Sequence, residues 1–268
     1  MSFKHKKKFG QNFLTDQREV LRKIMEVSDV KAEDTVLEIG PGEGALTALL
    51  LDTAKRVVTV EIDRDLEKIL RKKFDSNPKY TLVMNDVLET NLKDYVGEGT
   101  KVVANIPYYI TSPIINKLIE NRDVIDEIYI MVQKEVAERI CAKKGKERSV
   151  LTLAVEYFGE AEYLFTIPKE FFTPIPKVDS AFMSIKLYKN ERYSKIVDED
   201  CFFKYVKAAF ANKRKNLLNN FTALGKSKDE LREILAQANI AETERAENLS
   251  IDDFLNLIAI FEKKQAAI

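Results

Sequence analysis

The chain has 268 residues, 45% of them hydrophobic and 32% charged, which is enough to bury a large core and ordinary for a soluble globular protein. Two cysteines, Cys141 and Cys201, and one histidine, His5, are too few and too scattered for a zinc site or a Cys/His or Ser/His catalytic pair, so the expected chemistry is metal-free. Formal net charge is zero, which argues mildly against nucleic acid, and no apolar run nears the roughly 20 residues of a membrane span or follows the basic N-terminus as in a secretory signal; the expected location is cytoplasmic.

The zero balance hides segregation. Lys4, Lys6, Lys7 and Lys8 cluster at the start. Lys143, Lys144, Lys146 and Arg148 surround Gly145, and Lys213, Arg214 and Lys215 form a third group. Acidic residues gather elsewhere, at 198–200 and 242–247. Each basic run by itself is an ordinary solvated surface; together they are able to make a basic face.

The arm Lys8-Phe9-Gly10-Gln11-Asn12-Phe13-Leu14 places two Phe and a Leu in polar surroundings, which predicts an arm that is tied down. Helical spacing of Val20, Leu21, Ile24, Met25 and Val27 follows. Residues 35–39 then read as a strand running into Gly40-Pro41-Gly42-Glu43-Gly44, with a helix opening at Ala45. Glycines at alternate positions let the backbone turn sharply and approach a ligand. The helix N-terminus behind them favours polar or anionic ligand atoms.

A second strand over 56–61 ends in Glu61, about 20 residues beyond the first glycine, where nucleotide-binding folds hold ribose hydroxyls with an acid. An amphipathic helix over 63–74, a third strand over 80–84 and then Asn85-Asp86 come next. The fourth strand, from Lys101, empties into Asn105-Ile106-Pro107-Tyr108. These strand ends present Glu61, Asp86 and Asn105. Caps and turns favour Asp, Glu and Asn anyway, but that explanation has to be invoked three times at one sheet edge.

Asn105-Ile106-Pro107-Tyr108 suits a flat, amine-bearing ring. Asn105 offers a carbonyl acceptor to an N–H donor. Pro107 fixes its own φ and so sets the direction of nearby carbonyls. Tyr108 supplies a stacking face.

Helical spacing over 113–120, a strand over 127–132 and a helix over 134–141 continue the alternation. Residues 150–158 are apolar and fit helix or strand equally. Strands over 163–167 and 182–187 form a hairpin-like pair, with Phe171-Phe172-Thr173-Pro174-Ile175-Pro176 between them. Two spaced prolines stiffen this loop, which is a rigid connector or a carrier of exposed rings. A polar linker at 190–200 leads to residues 201–264, where only helical spacing appears and Ser250 with Asp253 resembles a capping box. The expected domains are 1–189, an α/β sheet with helices on both faces, and 190–268, a small all-helical C-terminal domain.

These motifs resemble the ribosomal RNA adenine N6-dimethyltransferases over nearly the whole chain, on the side of the bacterial branch acting on small-subunit (16S) rRNA. The resemblance rests on Phe9 to Leu14, Leu37 to Gly42, Val60-Glu61, Asn85-Asp86, Asn105 to Tyr108, and Phe172-Thr173-Pro174-Ile175-Pro176-Lys177-Val178-Asp179-Ser180-Ala181. It implies a Rossmann-like fold and S-adenosyl-L-methionine as methyl donor. It implies transfer to N6 of two adjacent adenosines near the 3′ end of that rRNA, within immature 30S particles, by a monomer.

Residue by residue, it implies that Asn12 and Leu14 close over the cofactor. Gly40 and Gly42 would meet its methionine part, Glu61 the ribose hydroxyls, and Asp86 the adenine amine. Asn105 would touch both cofactor and target base. Tyr108 would stack on one face of the target base, Phe172 on the other, and a backbone carbonyl at Ile106 or Pro107 would take an N–H of its amine. The alternatives are an NAD-dependent oxidoreductase, which leaves the Asn105 loop unused; a large-subunit rRNA methyltransferase of the antibiotic-resistance branch; and an assembly factor whose methylation is secondary.

Overall fold

The computed structural model describes residues 13–14, 17–190 and 192–266. Asn12 and the Lys4 to Lys8 cluster lie outside the described residues. The rest groups into two compact units, one of residues up to 137 with 160–189, the other of 138–159 with 190–268.

The first unit is built on a seven-stranded sheet. In chain order its elements are β1 (Phe13–Leu14), α1 (Gln17–Ser28), β2 (Thr35–Ile39), α2 (Ala45–Thr53), β3 (Arg56–Glu61), α3 (Arg64–Phe74), β4 (Tyr80–Met84), β5 (Thr100–Asn105), α4 (Thr111–Glu120) and β6 (Ile125–Gln133). After α5 (Lys134–Cys141) and α6 (Val150–Phe158) come β7 (Gly159–Ile167), β8 (Phe172–Thr173) and β9 (Ser180–Leu187). The sheet order is β4-β3-β2-β5-β6-β9-β7. Strands β4 to β6 pair parallel, and β9 runs antiparallel to β6. Strands β2, β3, β5 and β6 are almost continuously buried, as strands covered on both faces must be, so their sequences read as apolar runs rather than alternations. The order turns back at β2, where β3 lies on one side and β5 on the other, and open parallel sheets bind ligands at such a point.

Local chemistry sets the helix starts. Asp63 caps α3 by accepting from the Asp65 amide at 3.1 Å. Ser149 and Thr152 form a reciprocal capping box that starts α6, which settles the ambiguous apolar stretch as helix. A separate ribbon pairs Phe13 with Thr173 and Leu14 with Phe172, so the arm is tied to the proline-bearing loop through its backbone.

The second unit carries α6 with α7 (Glu199–Ala209), α8 (Leu217–Phe221), α9 (Lys228–Gln237) and α10 (Ile251–Ala266). Residues 138–159 belong with these helices, where a single cut at residue 189 leaves them with the sheet. The reason is aromatic packing: the Tyr157 ring lies 4.6 Å from Phe202, and its hydroxyl donates to the Val197 carbonyl at 2.8 Å. The expected box at the start of α10 is present, Ser250 Oγ and N donating to Asp253 Oδ2 at 2.7 and 2.8 Å. Among the described residues, no helix is long and apolar enough to cross a membrane.

Gly44 has a φ of +85°, and a Cβ there would sit 2.4 Å from the Phe74 ring. Gly99 has a similar φ, +83°, but open space around it. Gly44→Ala should therefore cost about 2–5 kcal/mol, left-handed strain plus overpacking, and Gly99→Ala about 1–2, strain alone. Urea unfolding of both variants checks the difference; equal losses would refute it.

Candidate active site

Four parallel strands end side by side. β2 delivers Gly40, β3 delivers Glu61, β4 leads to Asp86 and β5 delivers Asn105. A cavity of about 320 Å³ opens at this edge, within the usual size range of a small-molecule site. Gly40, Gly42, Glu61, Asp86, Asn105, Pro107 and Tyr108 all line it.

The glycine turn begins with the Gly40 amide donating to the Val60 carbonyl at 2.9 Å, which ties it to the end of β3. Gly40 and Gly42 adopt φ of +67° and +59°, a region that favours glycine. A Cβ on Gly40 would stand 3.8 Å from the Asn105 carbonyl oxygen, so the two strand ends face each other closely across the cavity floor.

Glu61 is 5% exposed, and its Oε1 accepts from the Asp63 amide at 2.8 Å. Burial pushes its pKa up; backbone amides of Asp63, Gly42 and Ile62 pull against that. Asp86 Oδ1 accepts from the Leu88 amide at 2.9 Å, and its own carbonyl takes the Thr90 hydroxyl at 2.7 Å, so the turn after β4 is locked.

Pro107 holds φ −62° and ψ 128° at the head of a single 3-10 turn, residues 108–110. Its carbonyl accepts from the Ile110 amide at 3.3 Å, within the turn that leads into α4. Tyr108 is half-buried, and its hydroxyl is hydrogen-bonded to Ser180 Oγ.

Two expectations change. Phe172 is 1% exposed, packs in the core with Ile24, Ile167 and Phe182, and does not line the cavity. In the two-residue strand β8 the alternation sends Phe172 inward and Thr173 out. Arg148 is no part of a basic surface: it is fully buried, bonded to both Glu156 oxygens at 2.9 and 2.8 Å and to the Ala142 and Lys143 carbonyls. The exposed cations are Lys143, Lys144 and Lys146 around it and, in the other loop, Lys213, Arg214 and Lys215. For Leu14 only the strand pairing is described, and Asn12 is outside the described residues.

Two lining residues carry no signal in the spacing. Ile62 is 44% exposed directly after Glu61, an apolar face at the mouth for a flat ring. Glu38 is 2% exposed beneath the turn and accepts from Thr47 Oγ1 at 2.6 Å. Burial, with a contribution from the charge of Glu61, pushes Glu38 up to about 8 against the Thr47 hydrogen bond. Its position inside the glycine motif was the only available clue.

A family model of ribosomal RNA adenine dimethylases matches residues 2–263. The chain is 68% identical over 262 residues to a ribosomal RNA small subunit methyltransferase A of Fusobacterium nucleatum, covering 98% of this chain and 99% of that one. Among solved structures, a dimethyladenosine transferase from Plasmodium falciparum superposes with a TM-score of 0.79 at 29% identity, over 94% of this chain and 98% of that one. The 23S rRNA methyltransferase ErmE superposes with a TM-score of 0.74 at 27% identity, over 94% and 100%.

Glu38 makes stability pH-dependent. Its folded pKa of about 8 stands above the ordinary 4.5, so the folded state holds the proton more tightly than the unfolded chain. Its stabilising contribution is complete below about 4.5 and is lost as pH rises through about 8. Glu38→Gln should remove this slope, so that the melting temperature of wild type falls relative to the variant between pH 5 and pH 8. Parallel curves would contradict the assignment.

Proposed function

The chain belongs to the ribosomal RNA adenine dimethylase family, and from that premise we propose that it transfers methyl groups to N6 of two adjacent adenosines near the 3′ end of small-subunit rRNA. S-adenosyl-L-methionine is the donor; when bound, it supplies an electrophilic methyl on a sulfonium centre. The observation that carries the reading is the convergence of Glu61, Asp86 and the Asn105 to Tyr108 loop on one cavity.

The residues present fit that donor. Glu61 is a buried carboxylate held in place by backbone amides, suited to ribose hydroxyls. Ile62 offers an exposed apolar face beside it, and Asp86 an acceptor for the purine amine of the donor. Gly40, bare of a side chain opposite the Asn105 carbonyl, leaves room for the methionine part. Asn12 and Leu14 are assigned to close the arm over the donor.

On the target side, the Asn105 side-chain carbonyl and the Ile106 main-chain carbonyl take the two N–H groups of the adenine amine. Those bonds draw the nitrogen lone pair out of ring conjugation and make it nucleophilic. The same two oxygens would share the positive charge that the nitrogen gains as the methyl–sulfur bond breaks and the donor leaves as a neutral thioether; the now acidic N–H proton then passes to solvent. Alignment supplies much of the remaining rate, because a base gripped by its edge and stacked on Tyr108 has lost most of its freedom before reaction. A base inside a helix cannot reach such a cavity, so the target adenosine is flipped out or looped.

The loops bearing Lys143, Lys144, Lys146 and Lys213 to Lys215 supply phosphate contacts, which position RNA without reading its sequence. We assign the substrate as rRNA within immature 30S particles and the acting species as a cytoplasmic monomer. The 68% identity to a small-subunit enzyme, set against 27% to a 23S enzyme, favours the small-subunit reading over the resistance branch. Incubation with labelled S-adenosyl-L-methionine and undermethylated small subunits, followed by mapping of the modified nucleotides, tests the whole assignment.

Asn105→Ala should lower methyl transfer by roughly 10²–10³-fold, the size of a lost transition-state hydrogen bond. Calorimetric affinity for S-adenosyl-L-methionine should change little, and near-wild-type transfer would refute the role. Glu61→Gln should instead weaken cofactor binding by about ten- to a hundredfold, the scale of a hydrogen bond to a charged group. An unchanged titration would remove Glu61 from the cofactor side.

A further inference from the structure

Tyr108 is fixed at two points. Its main-chain carbonyl accepts from Thr111 Oγ1 at 3.2 Å, in the first turn of α4. Its hydroxyl bonds Ser180 Oγ, at the start of β9. Ser180 is fully buried at the first position of β9 and pairs in register with Gln133 at the end of β6. The residue before it is anchored as well: the Asp179 carbonyl accepts from the Lys134 amide at 3.0 Å, and Asp179 Oδ1 from the Lys169 amide at 3.1 Å. The backbone that carries Ser180 is therefore held in place, and its hydroxyl offers the Tyr108 ring a fixed anchor point.

We propose that Ser180 is a positioning residue for adenine transfer, acting through the Tyr108 hydroxyl to hold the ring where the target base stacks. This inference rests on the reading of Tyr108 as the base's stacking face. A tyrosine hydroxyl lies on the axis of the Cβ–Cγ bond. Anchoring it stops the ring from swinging about χ1, and so fixes how far the stacking face stands from Asn105. Without the anchor, part of the binding energy of the base goes into ordering the ring. A small misplacement of the stacked base then misaligns the amine with the Asn105 and Ile106 acceptors.

The test is a double-mutant cycle of Ser180→Ala and Tyr108→Phe, each of which deletes the same hydrogen bond from one side. Single-turnover methylation of undermethylated small subunits, calorimetric cofactor affinity and melting temperature are measured for all variants. Each single variant should lose about fivefold in kcat/KM for RNA, the size of one hydrogen bond, with cofactor affinity unchanged. The double variant should lose the same about fivefold, because the second change has nothing left to remove. Additive losses, about twenty-five-fold in the double variant, would show that Ser180 acts on the fold and not through Tyr108. Wild-type activity in Ser180→Ala would overturn the proposal. If Ser180→Ala fails to fold, Tyr108→Phe alone decides, and full activity there overturns it. A wild-type protein that methylates no adenine in the particles would sink the functional reading itself, which separates that failure from this one.

Discussion

Parallel pairing brings the carboxyl ends of β2, β3, β4 and β5 to one edge of the sheet, and Gly40, Glu61, Asp86 and Asn105 line the cavity from at or just beyond those ends. Register fixes their relative heights: Ile39 lies beside Val60, and Glu61 beside Met84. A slip of one residue in any strand would turn its side chains to the other face and lift its terminal residue out of reach. The apolar interior of the strands pins that register, because Val36, Leu37, Val57, Val58, Val102 and Val103 are all fully buried. The site's geometry is in this sense a consequence of core packing several residues below it.

The same edge gathers two buried carboxyls, Glu38 and Glu61, on neighbouring strands. Two ionised acids there would repel and would both lose hydration. The structure resolves the conflict unequally. Glu61 is given backbone amides, which favour its charged form, whereas Glu38 is given one hydroxyl and deep burial, which leave it largely protonated at neutral pH. Both line the cavity, and Glu38 also holds α2 to β2 through Thr47.

How much of this was legible follows from where each signal lies in the chain. Glu61, Asp86 and Asn105 were readable because each ends a short apolar run, so strand and site appear in one stretch of sequence. The glycine turn was readable for the same reason. The helix Val150–Phe158 was not, since an apolar stretch buried on most sides has neither period; its signal was Ser149 and Thr152 just at its start. The burial of Phe172 depends on a two-residue strand paired with the distant arm, which no local pattern encodes. Arg148 looked like one more surface cation because its partner, Glu156, is reached only after α6 folds back over the loop. The capture of the Pro107 carbonyl by Ile110 is likewise a product of the turn.

The two sides of the cavity have different architectural origins. Gly40, Glu61 and Asp86 come from the ends of the parallel strands β2 to β4. The partner of Tyr108 comes from β9, the strand that breaks the parallel pattern by running antiparallel to β6. Reversal is what matters here. A parallel β9 would begin at the opposite edge of the sheet, whereas an antiparallel one begins at the carboxyl edge, beside the end of β6 and one strand away from β5. That brings Asp179 and Ser180, far along the chain, next to the loop of Asn105 to Tyr108. It also brings in the proline-bearing segment that pairs with the N-terminal arm. An inverted strand thus sets Ser180 against the Tyr108 hydroxyl at the same edge of the sheet where Gly40, Glu61 and Asn105 stand, so residues 72 positions apart in the chain share one fixed geometry.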